Sequence, residues 1–177
     1  IMALYEFEGK RPSIGKDTFV HPQAVIIGEV EIGERCYVGA GAVIRGDYGK
    51  IAIGSGTNIQ ENCILHSEPE TIAIIEENSL IGHSAIVHGP CLIKQNVTVG
   101  MGAIICAGCE LEIDSLLAAG SVLPPGRNVP KGKMAMGNPA RVVKDLDEFN
   151  KLYNQIGVKL YQDLSIRCIN GLTLIKE

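Results

Sequence analysis

The stretch IGHSAIVHGPCLIKQNVTVG, Ile81 to Gly100, carries an aliphatic residue at every sixth position: Ile81, Val87, Ile93 and Val99. Stepping outward by six in both directions extends the series. Upstream, Ile14, Val20, Ile26, Ile32, Val38 and Ile44 are followed, after a break, by Ile53, Ile59 and Leu65, and after a second break by Ile75. Downstream come Ile105, Leu111, Leu117 and Leu123, so that all eighteen positions hold Ile, Val or Leu. Four residues after each aliphatic lies a second series of small side chains, among them Thr18, Ala24, Val30, Cys36, Ala42, Thr57 and Cys63, then Ser79, Ala85, Cys91, Val97, Ala103, Cys109, Ser115 and Ser121.

A period of six fits neither the 3.6-residue α-helix nor the two-residue strand. It fits a parallel β-helix in which each hexapeptide forms one side of a triangular coil and coils stack by parallel pairing about 4.8 Å apart. Eighteen hexapeptides predict an all-β solenoid of about six coils with the aliphatics stacked inside. The breaks add three residues within RGDYGKIA and four within HSEPETIAI. Both follow the third side of a coil, so both loops are expected at one corner. The Pro/Gly-rich segment from Pro124 is expected to end the coils. Beyond it, Leu146, Phe149, Leu152, Tyr153, Leu160 and Leu164 have helical spacing and predict a C-terminal α-helix, interrupted near Gly157 and packed on the prism. This divides the chain into 1–130, the repeat domain with its N-terminal segment, and 131–177, a linker, helix and tail.

Composition narrows the function classes. A net charge of −4 gives no reason to expect a nucleic-acid or anionic-membrane partner. No apolar run approaches the roughly 20 residues of a membrane span, and no basic-then-apolar leader opens the chain, so a cytoplasmic protein is expected. Four of the six cysteines fall in the small-residue register and read as buried packing residues.

The register also places the histidines. Arg45, His66 and His88 each directly follow a third-side aliphatic (Ile44, Leu65, Val87) and so share one outward column on successive coils. His83 lies two residues after Ile81, on the middle side, and faces away from that column within its own chain. A trimer in which one prism's third side meets the next prism's middle side brings all three together. Three imidazoles and a water make an open tetrahedral site of the catalytic zinc type; Fe²⁺ or Co²⁺ fits the same donors. His21, alone, reads as an ordinary polar side chain on the surface of a solenoid.

RGDYG, NIQENCILH and IGHSAIVHG resemble the signature segments of the γ-class carbonic anhydrases and their relatives, and ALYEFEGKRPSI, GNPAR and YQDLSIRC resemble the carnitine-operon and phenylacetate-degradation branch of that group. The resemblance implies a left-handed β-helix and a homotrimer with metal sites between subunits. It makes His66, His83 and His88 the ligands, has Gln60 hydrogen-bond the metal-bound water with Asn58 orienting it, gives Arg45 and Asp47 a buried or interfacial ion pair that supports the trimer and greets bicarbonate, and brings Tyr161 toward the site. The implied activity is reversible hydration of CO2 to bicarbonate by a metal-bound hydroxide. An acyl-CoA thioesterase, a hexapeptide acyltransferase and a non-enzymatic accessory protein of a carnitine or phenylacetate pathway are the alternatives. One departure stands out: the acidic loop that carries the proton shuttle in the best-studied γ enzymes is here the short SEPE, leaving Glu68 or Glu70 as substitutes, and Tyr48 stands where that type has another glutamate.

Overall fold

The computed structural model describes residues 3–175. The chain winds into a parallel β-solenoid whose inward residues stack in three ladders. The first side runs Ile14, Ile32, Ile53, Ile75, Ile93, Leu111, Val129. The middle side runs Val20, Val38, Ile59, Ile81, Val99, Leu117, Ala135. The third runs Leu4, Ile26, Ile44, Leu65, Val87, Ile105, Leu123. Each ladder has seven rungs, one more than the eighteen hexapeptides supply. The extra turn comes from both ends. Leu4 stands ten residues before Ile14, across a tight turn closed by paired Phe7 and Lys10 backbone bonds. Val129 and Ala135 keep the six-residue step through the Pro/Gly-rich segment, which does not stop the coils.

That segment is tolerated because Pro and Gly sit at corners. Three residues after an inward aliphatic the backbone repeatedly turns left-handed, at Asp17, Arg35, Asn62, Asn78, Asn96 and Asp114 as well as at Gly126 and Gly132. Asn, Asp and Gly adopt this region most readily. Close stacking imposes a separate demand at Gly100, where a Cβ would lie 2.3 Å from the Ala119 backbone nitrogen of the next turn. The inserted residues after the third side are absorbed at one corner, so Ile51 and Ala73 take the small-residue register on their turns: Val30 pairs with Ile51, Ile51 with Ala73 and Ala73 with Cys91. The long strands Val25–Ile32 and Val43–Ile53 run around this corner and join the third and first sides into one sheet.

Apart from Leu4, which is exposed at the end of the third ladder, the inward side chains form one continuous apolar core, and Ile59, Ile81, Val99, Ile105 and Leu117 are fully buried. Because Ile81 is gripped between Ile59 below and Val99 above, Ile81→Ala is expected to cost about 2–5 kcal/mol, read by denaturant unfolding. A change below about 0.5 kcal/mol, the range of ordinary surface substitutions, would place Ile81 outside the core. The cysteines behave as packing residues: burial pushes the Cys63 thiol up to about 11 and the Cys91 thiol up to about 12. Cys106 and Cys109 do have C-x-x-C spacing, but they fall on either side of a corner. Cys106 follows inward Ile105 and is partly exposed, whereas Cys109 is buried, and both are free thiols.

Lys133–Gly137, which carries the last middle-side rung Ala135, pairs with Ala140–Asp145 in an antiparallel hairpin that closes the stack. The helix then runs unbroken from Glu148 to Gly171, capped by the Asp147 side chain accepting from the Asn150 N–H. Gly157 does not interrupt it. An interior Gly costs only about 1 kcal/mol, and here it permits a close approach, its missing Cβ lying 3.3 Å from Leu80 Cδ1. The helix packs on the middle side: Ser165 Oγ accepts from the Phe19 N–H and lies 2.9 Å from the Cys36 carbonyl oxygen, and Gln162 donates to the Gly56 carbonyl. No helix among the described residues is long and apolar enough to cross a membrane.

Candidate metal centre

Strand pairing sets His66 between Arg45 and His88 on adjacent rungs of the third side. The two imidazole centroids are 5.5 Å apart, with the rings edge to face. Just beyond Arg45 the same strand, Val43–Ile53, returns Asp47 to this column. One Asp47 oxygen takes the Arg45 guanidinium, and the other lies 3.1 Å from His66 Nε2 and accepts the Tyr48 N–H at 3.0 Å. Burial works against this carboxylate, but Arg45, the Tyr48 N–H and His66 together hold its pKa below the usual aspartate value. A carboxylate oxygen can only accept, so His66 Nε2 is the donor in this contact. Tyr48 stands edge-on to His66 with 6.0 Å between ring centres.

The middle side carries the second half. Gln60 Oε1 accepts the His83 backbone N–H at 3.1 Å, and Gln60 Nε2 donates to Asn58 Oδ1 at 3.0 Å. Gln60 and Asn58 are both buried, and Asn58 Nδ2 has no hydrogen-bond partner among the described residues. They belong with His83, across the prism from His66 and His88. Tyr161 also arrives on this side, packing its ring 5.1 Å from that of Tyr37. Among the described residues its ring meets that of Tyr37 and no histidine ring.

Two residues absent from the sequence reading complete this half. Glu61 Oε2 lies 2.6 Å from His83 Nδ1, and Glu61 Oε1 accepts the Tyr37 hydroxyl at 2.8 Å. Burial raises the Glu61 pKa, yet the Tyr37 hydrogen bond and the His83 contact leave it below the ordinary glutamate value. Burial, reinforced by Glu61, drives the Tyr37 phenol upward and keeps it a donor. The signal for Glu61 was present: it and His83 both stand two residues after a middle-side aliphatic, Ile59 and Ile81, on successive turns.

Within one chain the described residues bring no three metal-ligating side chains together. The third side offers His66 and His88, and the middle side offers His83. The donor set nonetheless suits a divalent first-row cation. Imidazole is a ligand for Zn²⁺, Fe²⁺ and Co²⁺ alike, and His66 and His83 each give one ring nitrogen to a carboxylate, the arrangement that orients metal-binding histidines. Glu68 and Glu70 are exposed, and their side chains make no ion pair or hydrogen bond among the described residues.

Comparison with known proteins sets this geometry in a lineage. The Salmonella agona carnitine operon protein CaiE is 39% identical over 175 residues, covering 99% of this chain and 88% of its own. This chain belongs to the CaiE family of hexapeptide-repeat proteins. The bacterial transferase hexapeptide (six repeats) family matches residues 11–46. Among solved structures, the hexapeptide transferase family protein of Anaplasma phagocytophilum is 37% identical with a TM-score of 0.90, over 96% of this chain and 98% of that one. The Bacillus cereus BC4754 product is 31% identical with a TM-score of 0.90, over 92% and 94%. CaiE-family membership thus extends over the solenoid and the C-terminal helix together.

Proposed function

We propose that this CaiE-family protein is a metal-dependent CO2 hydratase whose sites form between the subunits of a homotrimer. The observation that carries the reading is the pairing of His66 with His88 on one face while His83, with its own carboxylate, stands on another. Zn²⁺, Fe²⁺ or Co²⁺ held by these three imidazoles would supply the Lewis acidity that ionises a water near neutral pH. The chain's own groups then divide the remaining work. Gln60 and the orphan Asn58 Nδ2 hold and orient the oxygen nucleophile beside His83. Arg45, its charge partly offset by Asp47, attracts the bicarbonate anion and releases it.

Proton export is the weak step. Glu68 and Glu70 engage none of the histidines, and Tyr48 occupies the edge of His66. Turnover therefore depends on bases from solution. With the protein loaded with Zn²⁺ or Co²⁺, hydration is expected to be slow in dilute buffer and to rise with imidazole concentration at fixed pH and ionic strength.

The transferase naming of the Anaplasma structure favours a second reading, acyl transfer from an acyl-CoA. The same loaded preparation decides between them. Inactivity toward CO2 at every buffer concentration, with acyl transfer to an amine or hydroxyl acceptor, establishes the transferase. Hydrolysis of the thioester alone makes it a thioesterase. Inactivity on all substrates leaves an accessory role.

A further inference from the structure

We infer that Glu61 and Tyr37 form a brace that fixes the His83 ring for metal binding, and that the C-terminal helix holds this brace through Tyr161. The inference rests on the metal-site reading above. His83 needs external support. It sits at a corner between Gly82 and Ser84, whose φ of 59° turns the chain left-handed, and its side chain is 43% exposed against 16% for His66. Packing alone does not hold such a ring. The Glu61 carboxylate does so by spanning two groups, with Oε2 on His83 Nδ1 at 2.6 Å and Oε1 on the Tyr37 hydroxyl at 2.8 Å. Among the described residues that leaves Nε2 as the unengaged nitrogen of His83.

Tyr37 is positioned in turn. Its ring stacks on Phe19 at 5.6 Å and meets Tyr161 at 5.1 Å. The helix is pinned at the same place, since Ser165 Oγ accepts from the Phe19 N–H and lies 2.9 Å from the carbonyl oxygen of Cys36, the residue before Tyr37. A contiguous line of contacts therefore runs from the helix through Tyr161, Tyr37 and Glu61 to His83. These are positioning residues, acting on the site only through the His83 ring.

The test is affinity for Co²⁺ and Zn²⁺, measured by chelator competition on the full-length protein, together with the visible spectrum of the Co²⁺ form. Glu61→Ala is expected to weaken binding about 10- to 100-fold, the range for losing an orienting partner of a metal-bound histidine. Glu61→Gln preserves volume and one acceptor oxygen and should fall between Glu61→Ala and the wild type. Tyr37→Phe, which loses only a hydroxyl, should weaken binding less than Glu61→Ala and alter the Co²⁺ spectrum in the same direction. Tyr161→Ala should weaken binding in the same sense. Because Tyr37 acts through Glu61, the double variant Tyr37→Phe/Glu61→Ala should bind no more weakly than Glu61→Ala. Wild-type affinity in Glu61→Ala, or full additivity in the double variant, overturns the brace and leaves the metal site standing. A wild-type protein that takes up neither metal overturns both.

Discussion

The His88→Ala protein is expected to take up no stoichiometric Zn²⁺ or Co²⁺ and to lose CO2 hydration entirely, while unfolding within about 0.5 kcal/mol of the wild type, as a partly exposed surface substitution should. His88 is partly exposed on the outer face of the third side, and the inward Val87 beside it carries the packing. Its removal leaves His66 with Asp47 but without the second imidazole of the column. Two nitrogens from separate subunits make a poor site for a cation that takes four ligands. Gln60→Ala supplies the contrast. Gln60 touches the His83 backbone and Asn58, so its loss should lower the rate and spare metal uptake. Metal content by mass spectrometry beside a stopped-flow hydration assay separates the two effects. A His88→Ala protein that retains wild-type metal would remove His88 from the ligand set.

Much of this architecture was legible because a solenoid repeats one physical requirement. Each side needs an inward aliphatic, and the six-residue step exposes it without reference to distant contacts. The step also sets which residues share a column, so Arg45, His66 and His88 align from the sequence alone. What escaped was whatever obeyed a different constraint. Ile51 and Ala73 refill the small-residue register only after the corner loops have absorbed their extra residues, and loop length alone does not say where pairing resumes. Val129 and Ala135 lay hidden among prolines and glycines that read as terminators, although in this fold those residues suit the corners. Gly157 looked like a helix break because its local cost was visible and its contact with Leu80 was not. Glu61 was missed for yet another reason: an isolated glutamate on a polar corner is ordinary, and only its placement one turn from His83 gives it meaning.

Mixing two dead variants is expected to restore function. His66→Ala trimers lack the third-side half of every site, and His83→Ala trimers lack the middle-side half. Each preparation should be inactive alone. A ring of three subunits joined head to tail has three equivalent, directional interfaces. After subunit exchange, an interface is intact wherever the column of a His83→Ala subunit faces the middle side of a His66→Ala subunit. Random equal mixing makes about a quarter of the interfaces intact in such a ring, so activity and bound metal should both recover to roughly that fraction of wild type. The recovery requires that the two faces be separate within one chain and meet across the trimer. The ladders establish that separation, since His66 and His88 extend the strand pairs after Leu65 and Val87, whereas His83 follows Ile81 on the ladder that bears the helix. Differently tagged subunits report exchange independently of activity. Proven exchange without recovery would overturn a site shared between the third side of one subunit and the middle side of the next.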